Sequence, residues 1–98
     1  MIEIDRKHLE EAAGMFKALS DPARLQTLLI LATGERNVGE LAGLEHDKIG
    51  TVSARLKVLL QARLVTRRRE GKTAIYAIAD RHVLNLAENA IAHACERR

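Results

Sequence analysis

The sequence predicts a mainly α domain with a β-hairpin wing, in the order ααααββα, and three features predict it. Apolar residues recur at helical spacing, in runs bounded by capping residues, from Asp5 to Ala62. At Leu64 the period changes to that of strands, with Gly71 at the tip of a basic hairpin. From Asp80 a last helix carries two different side-chain stripes. Helices, hairpin and helix in that order make a winged helix-turn-helix. The 98 residues, 47% of them apolar, are enough for one domain over 1–98, with the last helix serving dimerisation and sensing. No linker, internal repeat or low-complexity tract breaks the pattern.

The first helix starts near Asp5 and sets Leu9, Ala12, Ala13 and Phe16 along one apolar face. In SDPARLQTLLILATG, Asp21 is a good N-cap, Pro22 suits the first helical position and Gly34 suits the stop. Leu25, Leu28, Leu29 and Ala32 form its buried stripe. A short helix follows from Val38 to Leu44, and polar Glu45, His46 and Asp47 make a turn. The fourth helix runs from Lys48 to Ala62, with Ile49, Val52, Leu56, Leu59 and Leu60 inward. Lys48, Thr51, Ala54, Arg55 and Lys57 face out, and Ser53 stands near the edge. LVTRRRE and AIYAIA read as strands joined by EGKT, where Gly71 takes positive φ. Asp80 then caps the last helix.

The formal charge is +3, and its densest cluster is Arg67-Arg68-Arg69 with Lys72. Such a patch favours a polyanion, nucleic acid above all. Phe16 and Tyr76 are the aromatic residues, too few for the base stacking by which single strands are gripped. Duplex DNA is therefore expected, against the plainer reading of a helix-turn-helix that makes only protein contacts. One cysteine, Cys95, leaves no disulfide within the chain and fits a reducing cytosol. MIEIDRKHLEE lacks the apolar run of a signal peptide, and no stretch has the length of a membrane span. A cytoplasmic protein with no membrane partner is expected. The histidines have no nucleophile at usable spacing, and no phosphate-cradling loop or cofactor motif is present. Neither an enzyme nor a small-molecule substrate is indicated.

A helix-turn-helix lays its second helix in the major groove, N-terminal end toward the base edges. Here that end is DKIGTVSARLK. Lys48 and the free amides of the helix start can hold phosphate. Gly50 permits close approach, Thr51, Ser53 and Arg55 can hydrogen-bond bases or phosphates, and Ala54 offers an apolar contact. Lys57 lies on the same outward side. Arg67, Arg68, Arg69 and Lys72 of the wing can straddle the neighbouring backbone or enter the minor groove.

The last helix, ADRHVLNLAENAIAHACERR, has a carboxylate and an imidazole near each end: Asp80 with His82, and His93 with Glu96. His82 and His93 face within about 20° of each other but stand about 16 Å apart along the axis. Zinc needs its donors about 2 Å away, so one copy cannot bring both histidines to one ion. A second, antiparallel copy across a two-fold axis completes two equivalent sites, each with Asp80 and His82 from one subunit and His93 and Glu96 from the other. Two imidazoles and two carboxylates suit zinc; cobalt or nickel can use the same donors. The His82 side continues through Leu86 and Asn89, while Val83, Leu84, Ala87, Ile91 and Ala94 form a second stripe. One stripe suits the helix's own domain, the other a partner. Taken singly, Asp80 reads as an N-cap, Glu96 as a surface charge and each histidine as an ordinary polar residue; His8 and His46 read as surface residues, and Cys95 as small and apolar.

The segments MFKALSDPARLQTLLIL, TVSARLKVLLQARLV and RRREGKTAIYAIAD together resemble the ArsR/SmtB family of dimeric bacterial metal-sensing repressors, over nearly the whole chain. The last-helix set, D-x-H and then H-x-x-E, is similar to the metal site of the zinc-sensing branch. The resemblance implies a homodimer through first and last helices whose apo form represses an operator and whose metal form lets go. It also implies a hydrogen bond from His93 to a backbone carbonyl near Arg63, coupling metal to DNA. The chain departs from the family pattern in places. The turn GLEHDK lacks the usual apolar residues, Ala54 replaces a base-contacting histidine, and Asn37 and Gly39 stand where arsenic-type sensors have cysteines. Two other readings stay open: a winged-helix repressor whose last helix only dimerises and that answers another signal, and a metal-buffering or protein-interaction module without duplex affinity.

Overall fold

The computed structural model describes residues 3–96. Its elements are α1 (Arg6–Leu19), α2 (Pro22–Leu31), α3 (Val38–Glu45), α4 (Ile49–Gln61), β1 (Val65–Glu70), β2 (Thr73–Ile78) and α5 (Arg81–Cys95). This is the expected ααααββα order of a winged helix-turn-helix. Local chemistry sets the helix starts. The side chains of Asp5, Asp21, Asn37 and Asp80 accept hydrogen bonds from the amides of His8, Arg24, Glu40 and Val83, which satisfies donors that a helix start leaves unpaired. Asn37 and Glu40 close a reciprocal capping box. Among the described helices only α4 starts without a side-chain cap, at Lys48.

The ends are equally local. α2 stops at Leu31, and the chain turns before reaching Gly34 at φ +151°. α3 runs on to Glu45, so the helix claims one residue of the expected polar turn, and His46 ends it in the left-handed region at φ 54°. At the end of α4, Arg63 takes φ 62° and the Leu64 amide donates back to the Leu59 carbonyl at 3.0 Å, a left-handed C-terminal cap. The strands pair antiparallel from Val65 opposite Ile78 to Glu70 opposite Thr73. Gly71 and Lys72 form the two-residue tip, with Gly71 at φ 62°, the backbone twist such a hairpin requires. Arg36 exchanges two backbone hydrogen bonds with Tyr76, at 3.1 and 2.8 Å, and so extends the sheet by one bridge.

The core lies between α2, α3 and α4 and the foot of the hairpin, where Leu28, Leu41, Val52, Leu56, Leu59 and Leu64 are fully buried. α5 joins it by packing Val83 and Ala87 on α2. Arg24 closes the α1–α2 corner, its Nε donating to the Ala18 carbonyl at 2.7 Å.

Several apolar residues sit differently from the expectation. On α2, Leu28 is buried, but Leu25, Leu29 and Ala32 are only half-buried; Thr27 and Leu31 take the deep positions. The helix packs against both α4 and α5, and these neighbours set which of its residues are buried. On α4, Ile49 and Leu60 are exposed instead of inward. They lie about 60° and 80° to the same side of Val52, on the rim of the buried arc. On α1, Leu9, Ala12, Ala13 and Phe16 are all exposed, Phe16 at 60%, while Ala18 is buried and Met15 and Leu19 half-buried. From Glu88 onward every described residue of α5 is exposed, Ile91 and Ala94 included. The apolar face of α1 and the second half of α5 are therefore not covered by the chain's own core. No helix among the described residues is long and apolar enough to cross a membrane.

Candidate nucleic-acid interface and metal half-sites

The outward side of α4 carries Lys48, Gly50, Thr51, Ser53, Ala54 and Lys57, all exposed. The uncapped start of the helix leaves amide donors beside the Lys48 ammonium, an arrangement that favours an anion. Arg55 differs from the expectation. Its side chain is only 16% exposed and turns back toward the α3–α4 turn. There Nη1 donates to Glu45 Oε1 at 3.1 Å and Nη2 to Asp47 Oδ2 at 2.6 Å. The hydrogen bond to Arg55 holds the Asp47 carboxyl below the usual carboxylate range, and the same bond pushes the Arg55 guanidinium further up. Glu45, Asp47 and Thr27 were not among the expected functional residues. Their signal in the sequence is a pair of acids in a turn that must pack inward, with an arginine at the right distance along the next helix.

On the wing, side chains alternate between the faces of β1, so Arg67 and Arg69 share one face and Arg68 takes the other. Arg67, Arg69 and Lys72 are exposed. Arg69 Nη1 donates to the Lys72 carbonyl at 3.3 Å, which draws the arginine over the tip. Arg68 is tied to Glu35 and Glu70, and these bonds, Glu35 first, raise its already high pKa. Its guanidinium anchors the wing to the loop after α2.

The metal candidates stand as two pairs at opposite ends of α5. Asp80 Oδ1 lies 3.6 Å from His82 Nδ1, and Glu96 Oε1 lies 3.5 Å from His93 Nδ1. Two donors on one tetrahedral zinc, each about 2 Å from the ion, stand about 3.3 Å apart, so both pairs have nearly the spacing of adjacent ligands. The His82 side chain is 97% exposed, and the other three are more than half exposed. Asp80 Oδ1 also accepts the Val83 amide at 3.0 Å, which fixes the carboxylate without covering it. Among the described residues, no three His, Cys, Asp or Glu side chains gather into a metal-holding group. His8 lies with Asp5 at the start of α1, His46 ends α3, and Cys95 is exposed and free.

The family model described as "Bacterial regulatory protein, arsR family" matches residues 21–67. The HTH-type transcriptional repressor SmtB of Mycobacterium tuberculosis is 36% identical over 91 residues, covering 93% of this chain and 67% of its own length. The cadmium resistance transcriptional regulatory protein CadC homolog of Staphylococcus aureus is 32% identical, over 93% of this chain and 76% of its own. Among solved structures, the homodimeric winged helix-turn-helix DNA-binding domain Mb0332 of Mycobacterium bovis superposes with a TM-score of 0.85. It shares 38% identity and covers 96% of this chain and 89% of that one. The fold, the motifs and these relatives agree: the chain belongs to the ArsR family of bacterial transcriptional regulators, and is not an enzyme.

Proposed function

We propose that the chain is a homodimeric, metal-responsive repressor. Its apo form binds an operator duplex, and zinc, with cobalt or nickel as chemical substitutes, releases it by binding between subunits on the last helices. The observation that carries this reading is the division of the donors. Each end of α5 holds a histidine–carboxylate pair at ligand spacing, and neither pair alone makes a site. A second antiparallel helix supplies what each pair lacks. The exposed face of α1 and the uncovered half of α5 support the dimer, as does the homodimeric relative of known structure. The relative named for cadmium resistance supports a metal as the signal.

Asp80, His82, His93 and Glu96 would hold the ion, which when bound supplies a rigid four-donor link between subunits. The chain's own residues do the rest. Asp80 caps α5 by accepting the Val83 amide, which holds its carboxylate at the helix start where the ion would bind. The ring nitrogen of His93 that is not used for metal carries a proton, and the family resemblance directs it to a carbonyl near Arg63, where α4 ends in its left-handed cap. A shift there tilts the DNA-reading helix. A tenfold to hundredfold loss of operator affinity needs only about 1–3 kcal/mol of such coupling.

The test is an operator-binding titration with and without zinc, cobalt and nickel, on the wild type and on His82→Ala and His93→Ala. Both variants should bind DNA as the apo wild type does and ignore metal. Equal metal release in both would refute the assignment. One observation favours a second reading, a dimeric repressor with a different signal: Asp80 is needed as an N-cap in any case, and a carboxylate beside a histidine is ordinary at a helix end. That reading predicts operator binding indifferent to all three metals.

A further inference from the structure

Glu45, the last residue of α3, has its side chain only 1% exposed. Its Oε1 accepts from the Thr27 hydroxyl of α2 at 2.7 Å and from Arg55 of α4 at 3.1 Å. Arg55 reaches on to Asp47 at 2.6 Å. Thr27 is fully buried, and Glu45 Oε2 is buried with no hydrogen-bond partner among the described residues. One polar cluster thus joins all three helices of the DNA-reading unit, at a place where an apolar contact would have sufficed for packing alone.

We infer that Arg55 is a positioning residue of DNA recognition and not a DNA contact: the Glu45–Arg55–Asp47 clamp sets the angle at which α4 presents Lys48, Thr51, Ser53, Ala54 and Lys57. The geometry carries the argument. An apolar contact tolerates sliding and rotation, because dispersion is not directional. A guanidinium fork bound to two carboxylates does not, since each N–H must meet its oxygen in line. The clamp also runs between two segments, the end of α3 with its turn and the middle of α4, so it fixes one against the other. Nor can Arg55 leave to meet a phosphate. Withdrawing it would strand the Glu45 carboxylate in the interior, with one oxygen already unpartnered, and an uncompensated buried charge is strongly unfavourable. The clamp holds in the DNA-bound state as in the free one.

The inference rests on the proposed duplex binding, and the experiment separates the two. A duplex enriched by the wild-type protein from a random pool is compared with a scrambled duplex of equal length, over a salt series. The variants are the paired Glu45→Leu/Arg55→Leu, which replaces both charges together and keeps the fold, and Arg55→Lys, which keeps the charge but loses the fork. Lys57→Ala serves as the exposed-contact control. The paired variant should lose at least tenfold of the preference for the selected duplex while its affinity for the scrambled one stays within about twofold, with an unchanged salt slope. Arg55→Lys should lose preference in the same direction. A scrambled-duplex slope shallower by about 0.9 in either Arg55 variant would mark a phosphate contact and overturn the inference. So would full preference in both variants. If the wild type enriches no duplex, the DNA-binding reading fails. The clamp is then decided by a double-mutant cycle between Glu45→Leu and Arg55→Leu in urea, where strictly additive effects overturn it.

Discussion

Asp47 gives the fold an acid-sensitive element, and the sign follows from its partner. Hydrogen bonding to Arg55 holds the carboxyl below its ordinary 3.8. A carboxyl depressed in the folded state adds stability at pH above its unfolded value and gives it up as pH falls through its folded one. Arg55 titrates far above any working pH and adds no dependence of its own there. The Asp47 contribution should be constant from pH 7 down to about 5 and fade below about 4, and Asp47→Asn should show a flatter acid limb in urea melts than the wild type. Parallel limbs would mean that the ion pair does not persist in solution. Thr27 tests the other end of the same cluster. Thr27→Val keeps the volume but removes a buried donor to Glu45, so it should cost about 1–3 kcal/mol. Thr27→Ser, which keeps the hydroxyl, should cost less; equal losses from both would deny the hydrogen bond any part in stability.

The elements themselves were legible because their signals are local. Asp5, Asp21 and Asp80 announce their helices by chemistry that acts within one turn, and Gly71 announces the hairpin because few residues tolerate φ 62°. What stayed hidden depends on neighbours. Thr27 is buried, and Leu25 only half so, because burial on α2 is set by its packing against α4 and α5, and no window along α2 contains that information. Arg55 and Arg68 read as free cations until the fold brings Glu45, Asp47 and Glu35 to them. The site residues divide in the same way: the α5 pairs follow from spacing on one helix, while the committed arginines follow from contacts between elements. The wing turns this into a prediction. Arg67 and Arg69 are exposed, and among the described residues neither is held in an ion pair with a carboxylate, so Arg67→Ala and Arg69→Ala should each weaken binding to any duplex and lower the salt slope by about 0.9. Arg68→Ala should leave the slope nearly unchanged and instead loosen the hairpin from Glu35, visible as faster amide exchange across β1 and β2. A full-sized slope change in Arg68→Ala would mean that its ion pairs yield to phosphate.

At the scale of the whole molecule the chain carries two apolar surfaces that its own core does not use. Leu9 and Phe16 on α1 are 55% and 60% exposed, and the second half of α5 stands clear of the domain. In a chain this small, buried surface is scarce, so an apolar face left open on the first helix and another on the last call for a partner with the same need. The proposed two-fold related copy would meet it, since an isologous interface sets each patch against its own image or its neighbour's. Phe16→Glu tests this at little cost to the fold, because Phe16 is 60% exposed and is not among the buried core residues. The variant should sediment as a monomer at concentrations where the wild type is a dimer. Operator affinity should fall by about 10²–10⁴, because two linked heads on neighbouring half-sites lose their mutual effective concentration. Zinc affinity should fall with it, since each monomer keeps only two of the four donors. His82→Ala should give the opposite pattern, losing zinc while keeping the dimer and the operator. A Phe16→Glu protein that stays dimeric and binds zinc at wild-type affinity would move the interface elsewhere and with it the shared metal site, whereas a monomer that still binds zinc tightly would leave the dimer intact as a proposal and remove the metal from between its subunits.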